Sequence, residues 1–302
     1  MIAWQPRRRV FLGAAQRNGE QISMSYIDAH VHVWTPDTAH YPLLAGFKKD
    51  DMKPPSFTPQ ELFKHSKPAG VTRINLIQMS FYGFDNSYML DAIKLYPDMF
   101  VGTAVIDPSG EPVKRMRELA PKGVRAFRIR PGLVKAEKWL GPEGYAEMFA
   151  EGAKADQAMS CLINPADLPE LDRMCTKFPD TPVIIDHLCR IGADGTIREK
   201  DVDALCAMAK HKRVMVKVGA FYAFGKKKPP YADLVPLAKS VIKAFGAKRC
   251  MWEPDCPVQV NTGHTYQDSV DFVLKQLDFL TADERGALMH KTAEEFFFAK
   301  KK

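Results

Sequence analysis

Short apolar runs alternate along this chain with longer stretches in which apolar residues recur at every third or fourth position. The short runs are bounded by Gly, Pro or Asp and are rich in β-branched side chains, which is typical of parallel strands buried on both faces. The longer stretches, such as VDALCAMAKHK, have the spacing of amphipathic helices. The predicted strands cover residues 26–34, 71–80, 99–106, 123–130, 158–163, 182–187, 213–219 and 249–255.

The alternation of these strands with helices predicts an α/β fold, a single-domain (β/α)8 TIM barrel over residues 26–299. A length of 302 residues suits such a barrel with a few insertions. The first strand is not followed by GxGxxG, which argues against a dinucleotide-binding sheet. Two helix starts carry the residues of a capping box, Thr58 with Glu61 and Thr281 with Glu284.

Residues 1–25 are predicted to be a disordered extension ahead of the barrel. The run RRRVFLGAA resembles the start of a twin-arginine export signal, but the polar QRNGEQIS follows where an apolar stretch is needed. The extension is therefore either a signal remnant or a consequence of translation that truly starts at Met24. Two further segments, 35–57 and 221–231, are predicted to be either lids over the barrel mouth or plain surface connections.

The net charge of +7 does not indicate a nucleic-acid-binding surface. Six of the positive charges belong to the tripeptides 7–9 and 300–302, and without them 37 basic residues face 36 acidic ones. No apolar run approaches the roughly 20 residues that a membrane span requires. The six cysteines lack CxxC spacing, so we expect reduced thiols in a cytoplasmic protein that acts on a small molecule, with a homo-oligomer left open.

Four polar residues at the ends of predicted strands are the candidate catalytic set: His30, His32, His187 and Asp255. A single histidine in an apolar strand is more often a hydrogen-bonded core residue. Four such residues at the carboxyl ends of barrel strands instead indicate an active site, because these ends meet at one mouth. Alternation along the first strand further predicts that Asp28, His30 and His32 point to one face.

Candidate substrate-binding residues lie nearby in sequence. Strand alternation sends Arg125 to the opposite face from Arg128 and Arg130, and an inward-facing guanidinium could bind a substrate carboxylate through two hydrogen bonds. Lys217 could reach into the barrel in the same way, and for all these cations a structural salt bridge is the alternative. The full candidate set is Arg125, Arg128, Arg130, Lys217, Tyr82 and Asn86, which favours an anionic or polyhydroxy substrate.

Several short motifs in this order resemble the amidohydrolase superfamily: DAHVHVW, IQMSFYGFDNSYMLDAI, GVR at Gly123, IDHL at Asp186 and MWEPDCPV. The likeness is strongest to the branch that contains 2-pyrone-4,6-dicarboxylate lactonase and sugar lactonases such as L-fuconolactonase. It implies a (β/α)8 barrel that hydrolyses a lactone, with the reactive centre at His30, His32, His187 and Asp255. It also implies that Arg125 faces inward while Arg128 and Arg130 lie nearer the mouth.

The metal content is left open by the sequence. The predicted fifth strand offers only Cys161 and Asn164 where many members of the superfamily have a further ligand, so a two-metal site is not expected. If one divalent metal is bound, zinc is the favoured ion, and its ligands would be drawn from His30, His32, His187 and Asp255. The resembled branch also includes members that work without metal, and the Glu253-Pro254 pair departs from its usual pattern beside the aspartate.

The predicted reaction is attack of water on a lactone carbonyl. Asp255 would act as general base, and the three histidines, or a metal that they hold, would polarise the carbonyl. Two alternatives stay open: a metal-dependent decarboxylase of the same superfamily, and a degenerate barrel that only binds a ligand.

Overall fold

Eight parallel strands form one sheet in which each strand pairs with its neighbour in chain order. The computed structural model describes residues 25–299. The sheet closes where the amide of His32 donates to the carbonyl of Cys256 at 2.8 Å, next to a parallel bridge between Val31 and Cys256. The strands are β1 (Tyr26–Val31), β2 (Val71–Ile77), β3 (Phe100–Ala104), β4 (Val124–Ile129), β5 (Ala158–Cys161), β6 (Val183–Ile185), β7 (Val214–Gly219) and β8 (Cys250–Glu253).

Helices follow the strands and surround the sheet, so the predicted (β/α)8 barrel is confirmed. Both predicted capping boxes are present, at Thr58 with Glu61 and at Thr281 with Glu284. Within residues 25–299, the α-helices are α1 (Pro59–Ser66), α2 (Ser87–Leu95), α3 (Pro112–Leu119), α4 (Glu143–Ala155), α5 (Leu168–Lys177), α6 (Glu199–Ala207), α7 (Val235–Phe245), α8 (Val258–Asn261), α9 (Tyr266–Asp271) and α10 (Ala282–Gly286). Wider π-helical turns cover Phe272–Gln276, Ala287–Lys291 and Glu294–Phe298.

The hydrophobic core has two parts. The larger part fills the space between the strands and the helices, where Phe127 and Ile129 of β4 are buried. The smaller part lies inside the barrel and includes Ala126 of the same strand. Phe296 and Phe297 of the last helical turn pack into this inner cluster beside residues near the strand starts, so they plug the amino end of the barrel. The carboxyl end is left for polar groups.

Strand β1 contains a bulge that corrects one prediction from the sequence. Asp28 pairs with Ile74 and Val31 pairs with Leu76, so two residues of β1 lie opposite one residue of β2. The His30 amide donates to Asp28 Oδ1 at 2.9 Å, and Tyr266 donates its hydroxyl proton to Asp28 Oδ2 at 2.8 Å. The prediction that Asp28 shares a face with both histidines is therefore wrong, because strict alternation does not continue through a bulge.

Other sequence predictions concern the first long loop, the cysteines, a membrane span and the N-terminal extension. The loop from Thr35 to Ser56 is pinned at its ends, since Trp34 and Phe57 pair as an antiparallel bridge. All six cysteines lie among the described residues as free thiols. No helix between residues 25 and 299 has both the length and the apolar character to cross a membrane. The predicted N-terminal extension, apart from Ser25, lies outside the described residues.

Replacing Phe297 by Ala should lower the free energy of unfolding by about 3–5 kcal/mol, because it empties a buried aromatic site at the closed end of the barrel. Urea unfolding followed by circular dichroism measures this change. The control is Leu95→Ala, since Leu95 is 63% exposed and its removal should change the stability by less than about 0.5 kcal/mol. Equal effects of the two substitutions would show that Phe297 is not part of the core.

Candidate active site

The four residues of the predicted catalytic set meet at the carboxyl end of the barrel. The Nε2 atoms of His30 and His32 are 3.3 Å apart, and the rings of His30 and His187 have centroids 4.3 Å apart. Asp255 Oδ1 lies 3.8 Å from His30 Nε2 and 3.7 Å from His32 Nε2. All four side chains are buried or nearly so. The strand ends thus place three imidazoles and one carboxylate around a common point.

Left-handed backbone places two of these side chains. His187 follows β6 with φ of 53°, and Asp255 follows β8 with φ of 63°. The residues after His187, from Leu188 to Arg190, continue in positive φ as a left-handed turn. Non-glycine residues in this region each cost on the order of 1–3 kcal/mol. The surrounding barrel holds both chain segments in this conformation, which turns the side chains into the mouth.

Two of the imidazoles are held in place by hydrogen bonds at their Nδ1 atoms. His32 Nδ1 lies 2.9 Å from the carbonyl oxygen of Ile77, which can only accept a hydrogen bond. The proton of His32 is therefore on Nδ1, and Nε2 presents a lone pair to the centre. His187 Nδ1 lies 2.8 Å from Glu253 Oε1. Burial raises the pKa of Glu253 to about 7, while Glu253 and Asp255 raise the pKa of His187 against the opposing effect of burial.

A buried ion pair lies beneath His30. Lys217 Nζ is 2.9 Å from Asp186 Oδ1 and 3.2 Å from His30 Nδ1, and neither Lys217 nor Asp186 is exposed at all. The Ser160 hydroxyl also donates to Asp186 Oδ1, at 2.9 Å. Burial alone would raise the pKa of Asp186, but Lys217 and His30 hold it well below its usual range. Burial and the charge of Lys217 both lower the pKa of His30. Lys217 thus supports an imidazole instead of reaching a substrate.

Tyr222 is a site residue that the sequence did not single out. Its hydroxyl donates to Asp255 Oδ2 at 2.6 Å, and burial followed by the charge of Asp255 raises the pKa of Tyr222. Tyr222 therefore stays protonated and fixes one oxygen of the carboxylate, leaving Oδ1 toward the histidines. The only signal in the sequence was its position in the FYAFG run directly after a predicted strand.

The donor set fits a single divalent metal ion. His30, His187 and Asp255 each offer one ligand atom, and these atoms lie within 4.8 Å of one another. Nitrogen and carboxylate ligands of this kind suit zinc, whose bonds of about 2.0–2.1 Å place two nitrogens roughly 3.3 Å apart. The Nε2 atoms of His30 and His32 have that spacing, but His32 is not one of the three donors named above. Lys217 opposes this fit in part, because its ammonium lies beside Nδ1 of His30 and weakens that imidazole as a ligand.

A cavity of about 280 Å³ adjoins the site at the ends of β2 to β4. Arg128 and Arg130 line it together with Gln78 and Ser80. Burial, followed by the charge of Arg128, lowers the pKa of His32 to about 4, so the guanidinium and the catalytic centre are close neighbours. Nε of Arg128 is buried with no hydrogen-bond partner among the residues described. The cavity is therefore positively charged on the side next to the histidines.

The structure places three other candidates away from the substrate cavity. Arg125 faces outward into a groove beside α2 and donates to the carbonyl of Ala120 at 3.0 Å, so its predicted inward orientation is wrong. Its neighbour Ala126 faces the barrel interior instead. Tyr82 is buried and contacts the backbone of the 35–57 loop, while the Asn86 amide bonds both backbone groups of Val105. Tyr82 and Asn86 thus stabilise the backbone around the barrel mouth.

Fold and site together define a (β/α)8 barrel that gathers three histidines and an aspartate at the carboxyl ends of its strands. The chain belongs to the amidohydrolase family, whose model matches residues 27–299. It is 27% identical to the 2-pyrone-4,6-dicarboxylate hydrolase of Comamonas testosteroni over 259 residues, 82% of each chain. It is 24% identical to the 4-sulfomuconolactone hydrolase of Rhizobium radiobacter over 233 residues, 76% of this chain and 75% of the relative.

The fold is also that of a solved structure, an amidohydrolase from Burkholderia multivorans with bound zinc. The TM-score is 0.75 at 18% sequence identity, over 91% of this chain and 99% of the other.

Replacing Lys217 by Met should lower the free energy of unfolding by about 3–5 kcal/mol, because the buried Asp186 carboxylate loses its cation. Adding Asp186→Asn should restore part of that loss, since the unpaired charge is then removed. Urea unfolding measures both variants, with the exposed Lys243→Met as control. A cost below about 1 kcal/mol for the single variant would show that Lys217 and Asp186 are not a charged pair.

Proposed function

We propose that this protein opens a small carboxylated lactone by hydrolysis. The observation that carries the proposal is the position of Asp255, held by Tyr222 on one oxygen and facing His30 and His32 with the other. Two relatives whose names describe hydrolases of anionic lactones support this substrate class. The cationic cavity beside the histidines supports it independently.

In the proposed reaction, Asp255 removes a proton from a water molecule as the water oxygen attacks the lactone carbonyl. Tyr222 occupies Oδ2, so Oδ1 is the oxygen that receives the proton. Lys217 donates to Nδ1 of His30, which leaves the His30 proton on Nε2, pointing into the centre. That proton stabilises the oxyanion that develops on the carbonyl oxygen, and His187 adds to this stabilisation in its protonated form.

Collapse of the tetrahedral intermediate breaks the bond between the carbonyl carbon and the ring oxygen. Asp255 returns its proton to that leaving oxygen, so the product carries a hydroxyl group and a new carboxylic acid, which loses its proton to solvent, and the enzyme is restored. A divalent ion held by unprotonated nitrogens of His30 and His187 and by Asp255 would take the place of those protons and supply Lewis-acid polarisation of the same carbonyl. Zinc is the ion we propose, and its presence stays a prediction together with the cytoplasmic location and a homo-oligomeric state.

The substrate carboxylate is proposed to bind Arg128 and Arg130. Both arginines line the cavity, and their planar guanidinium groups suit a carboxylate through paired hydrogen bonds. A carboxylated lactone accounts for this concentration of positive charge, which an uncharged sugar lactone does not.

Replacing Asp255 by Asn should reduce kcat for lactone opening by about 10²–10⁴-fold, because the amide cannot accept the proton of water. The measurement is the rate of acid release from a panel of pyrone carboxylates and aldonolactones. Asp278→Asn, at an exposed position, is the matched control and should keep full activity. Release of carbon dioxide instead of ring opening would favour the decarboxylase, and a thermal shift with each ligand but no turnover would favour a pure binding protein.

Replacing Arg128 by Met should raise KM for a carboxylated lactone by roughly 10–100-fold, the effect of losing about 1.5–3 kcal/mol of charged hydrogen bonding. KM for an uncharged lactone should change far less. Arg125→Met is the matched control, because Arg125 lies outside the barrel. If both lactones lose affinity equally, Arg128 does not bind the substrate carboxylate.

A further inference from the structure

The cavity beside the active site has an apolar part as well as a polar one. The polar part includes Arg128, Arg130, Gln78 and Ser80, and the apolar wall is formed by Leu44, Phe47, Phe84, Val105 and Leu133. We propose that the substrate carries a hydrophobic substituent, aryl or branched alkyl, which packs against this wall while its carboxylate binds the arginines. This inference rests on the proposed lactone hydrolysis and narrows its substrate class.

The exposure of the wall supports a ligand there. Over residues 25–299, the large apolar side chains that are exposed are Leu44, Phe47, Phe84, Leu95 and Val258. Leu44, Phe47 and Phe84 are 46%, 39% and 38% exposed, and these three line the same cavity. Single exposed apolar residues are ordinary on a protein surface, whereas grouping them in a concave site marks a place for an apolar partner.

The wall has a defined shape. The Leu44 amide donates to the carbonyl of Phe81 at 2.8 Å, and the Phe47 amide donates to the carbonyl of Leu44 at 3.0 Å. Gly83 lies against Leu44 at a φ of 55°, and a Cβ atom there would come within 3.1 Å of the leucine methyl groups. The bridge between Trp34 and Phe57 fixes the two ends of the loop that carries Leu44 and Phe47.

The two sides of the cavity select against a polyhydroxy substrate. A sugar lactone bound through one carboxylate would present hydroxyl groups to Leu44, Phe47 and Phe84, whose side chains offer no hydrogen bonds. Each hydroxyl group left without a partner costs affinity, whereas an apolar group at the same place gains from its removal from water. A substrate with an anionic end and a hydrophobic end satisfies both sides.

Two carboxylates that cannot be hydrolysed test the wall directly: succinate and 2-phenylsuccinate. Titration calorimetry on the full-length protein should show 2-phenylsuccinate binding at least about tenfold more tightly than succinate. In the double variant Leu44→Ala/Phe47→Ala the ratio of the two dissociation constants should fall toward one. Leu95→Ala, exposed but distant from the cavity, is the matched control and should keep the full preference.

Equal affinities for the two ligands in the natural protein, no binding of either, or an unchanged preference in the double variant would each overturn the inference. A parallel hydrolysis assay compares one carboxylated lactone with its phenyl-substituted analogue. If neither lactone is opened although 2-phenylsuccinate binds selectively, the proposed hydrolysis is wrong, while the proposed binding of a hydrophobic substituent is supported. If both lactones are opened at equal kcat/KM and the two ligands bind equally, hydrolysis is supported and the proposed binding of a hydrophobic substituent is wrong.

Discussion

Closure of the barrel between its first and last strands assembles the active site. The amide of His32 donates to the carbonyl of Cys256, and the two residues are more than 220 positions apart in the sequence. That hydrogen bond completes the backbone pairing of an otherwise open sheet edge. It also brings the residue next to Cys256, the aspartate Asp255, within 3.7 Å of the His32 ring. In an open sheet, these groups would lie on opposite edges, so fold and chemistry depend on the same contact.

Closure brings several charged groups together in the buried part of the barrel, and pairing between them offsets the free-energy cost of removing them from water. Isolated buried charges are costly, and here each carboxylate has a partner that opposes the cost. Asp186 faces Lys217, Glu253 faces His187, and Asp255 accepts from Tyr222. The partners also affect the two histidines differently: burial and then Lys217 lower the pKa of His30, whereas Glu253 and Asp255 raise the pKa of His187 against the effect of burial. The two pKa values therefore move in opposite directions because different side chains lie beside the two Nδ1 atoms.

The sequence was informative where a local pattern determines the structure. Buried parallel strands need continuous apolar runs, so the strands could be located, and their carboxyl ends identified where His30, His187 and Asp255 would meet. Alternation failed inside β1, because the bulge depends on a hydrogen bond from a backbone amide to Asp28 that no spacing rule encodes. Alternation did separate Arg125 from Arg128, but the resemblance chose the wrong face for Arg125.

Long-range partners were the part that could not be predicted. Tyr222 and Glu253 matter because barrel closure and loop geometry place them beside Asp255 and His187, and no pattern in the sequence marked either as a site residue. Glu253 was even interpreted as a departure from the family pattern, although it is the group that orients His187. A residue of this kind is found by asking which side chain holds each ring nitrogen, and that question needs coordinates.

The arginines and the apolar side chains of the cavity come from different parts of the chain. Arg128 belongs to β4 and is paired with Ser160 of β5, and Arg130 follows directly after β4. Leu44 and Phe47 come from a loop whose contacts to the barrel include the bridge at its ends, the Phe81 carbonyl and the carboxylate of Asp91. A change in that loop can reshape the apolar wall without moving a strand end. Under the proposed function, the loop over the barrel mouth would select the substrate while the strand ends carry out the reaction.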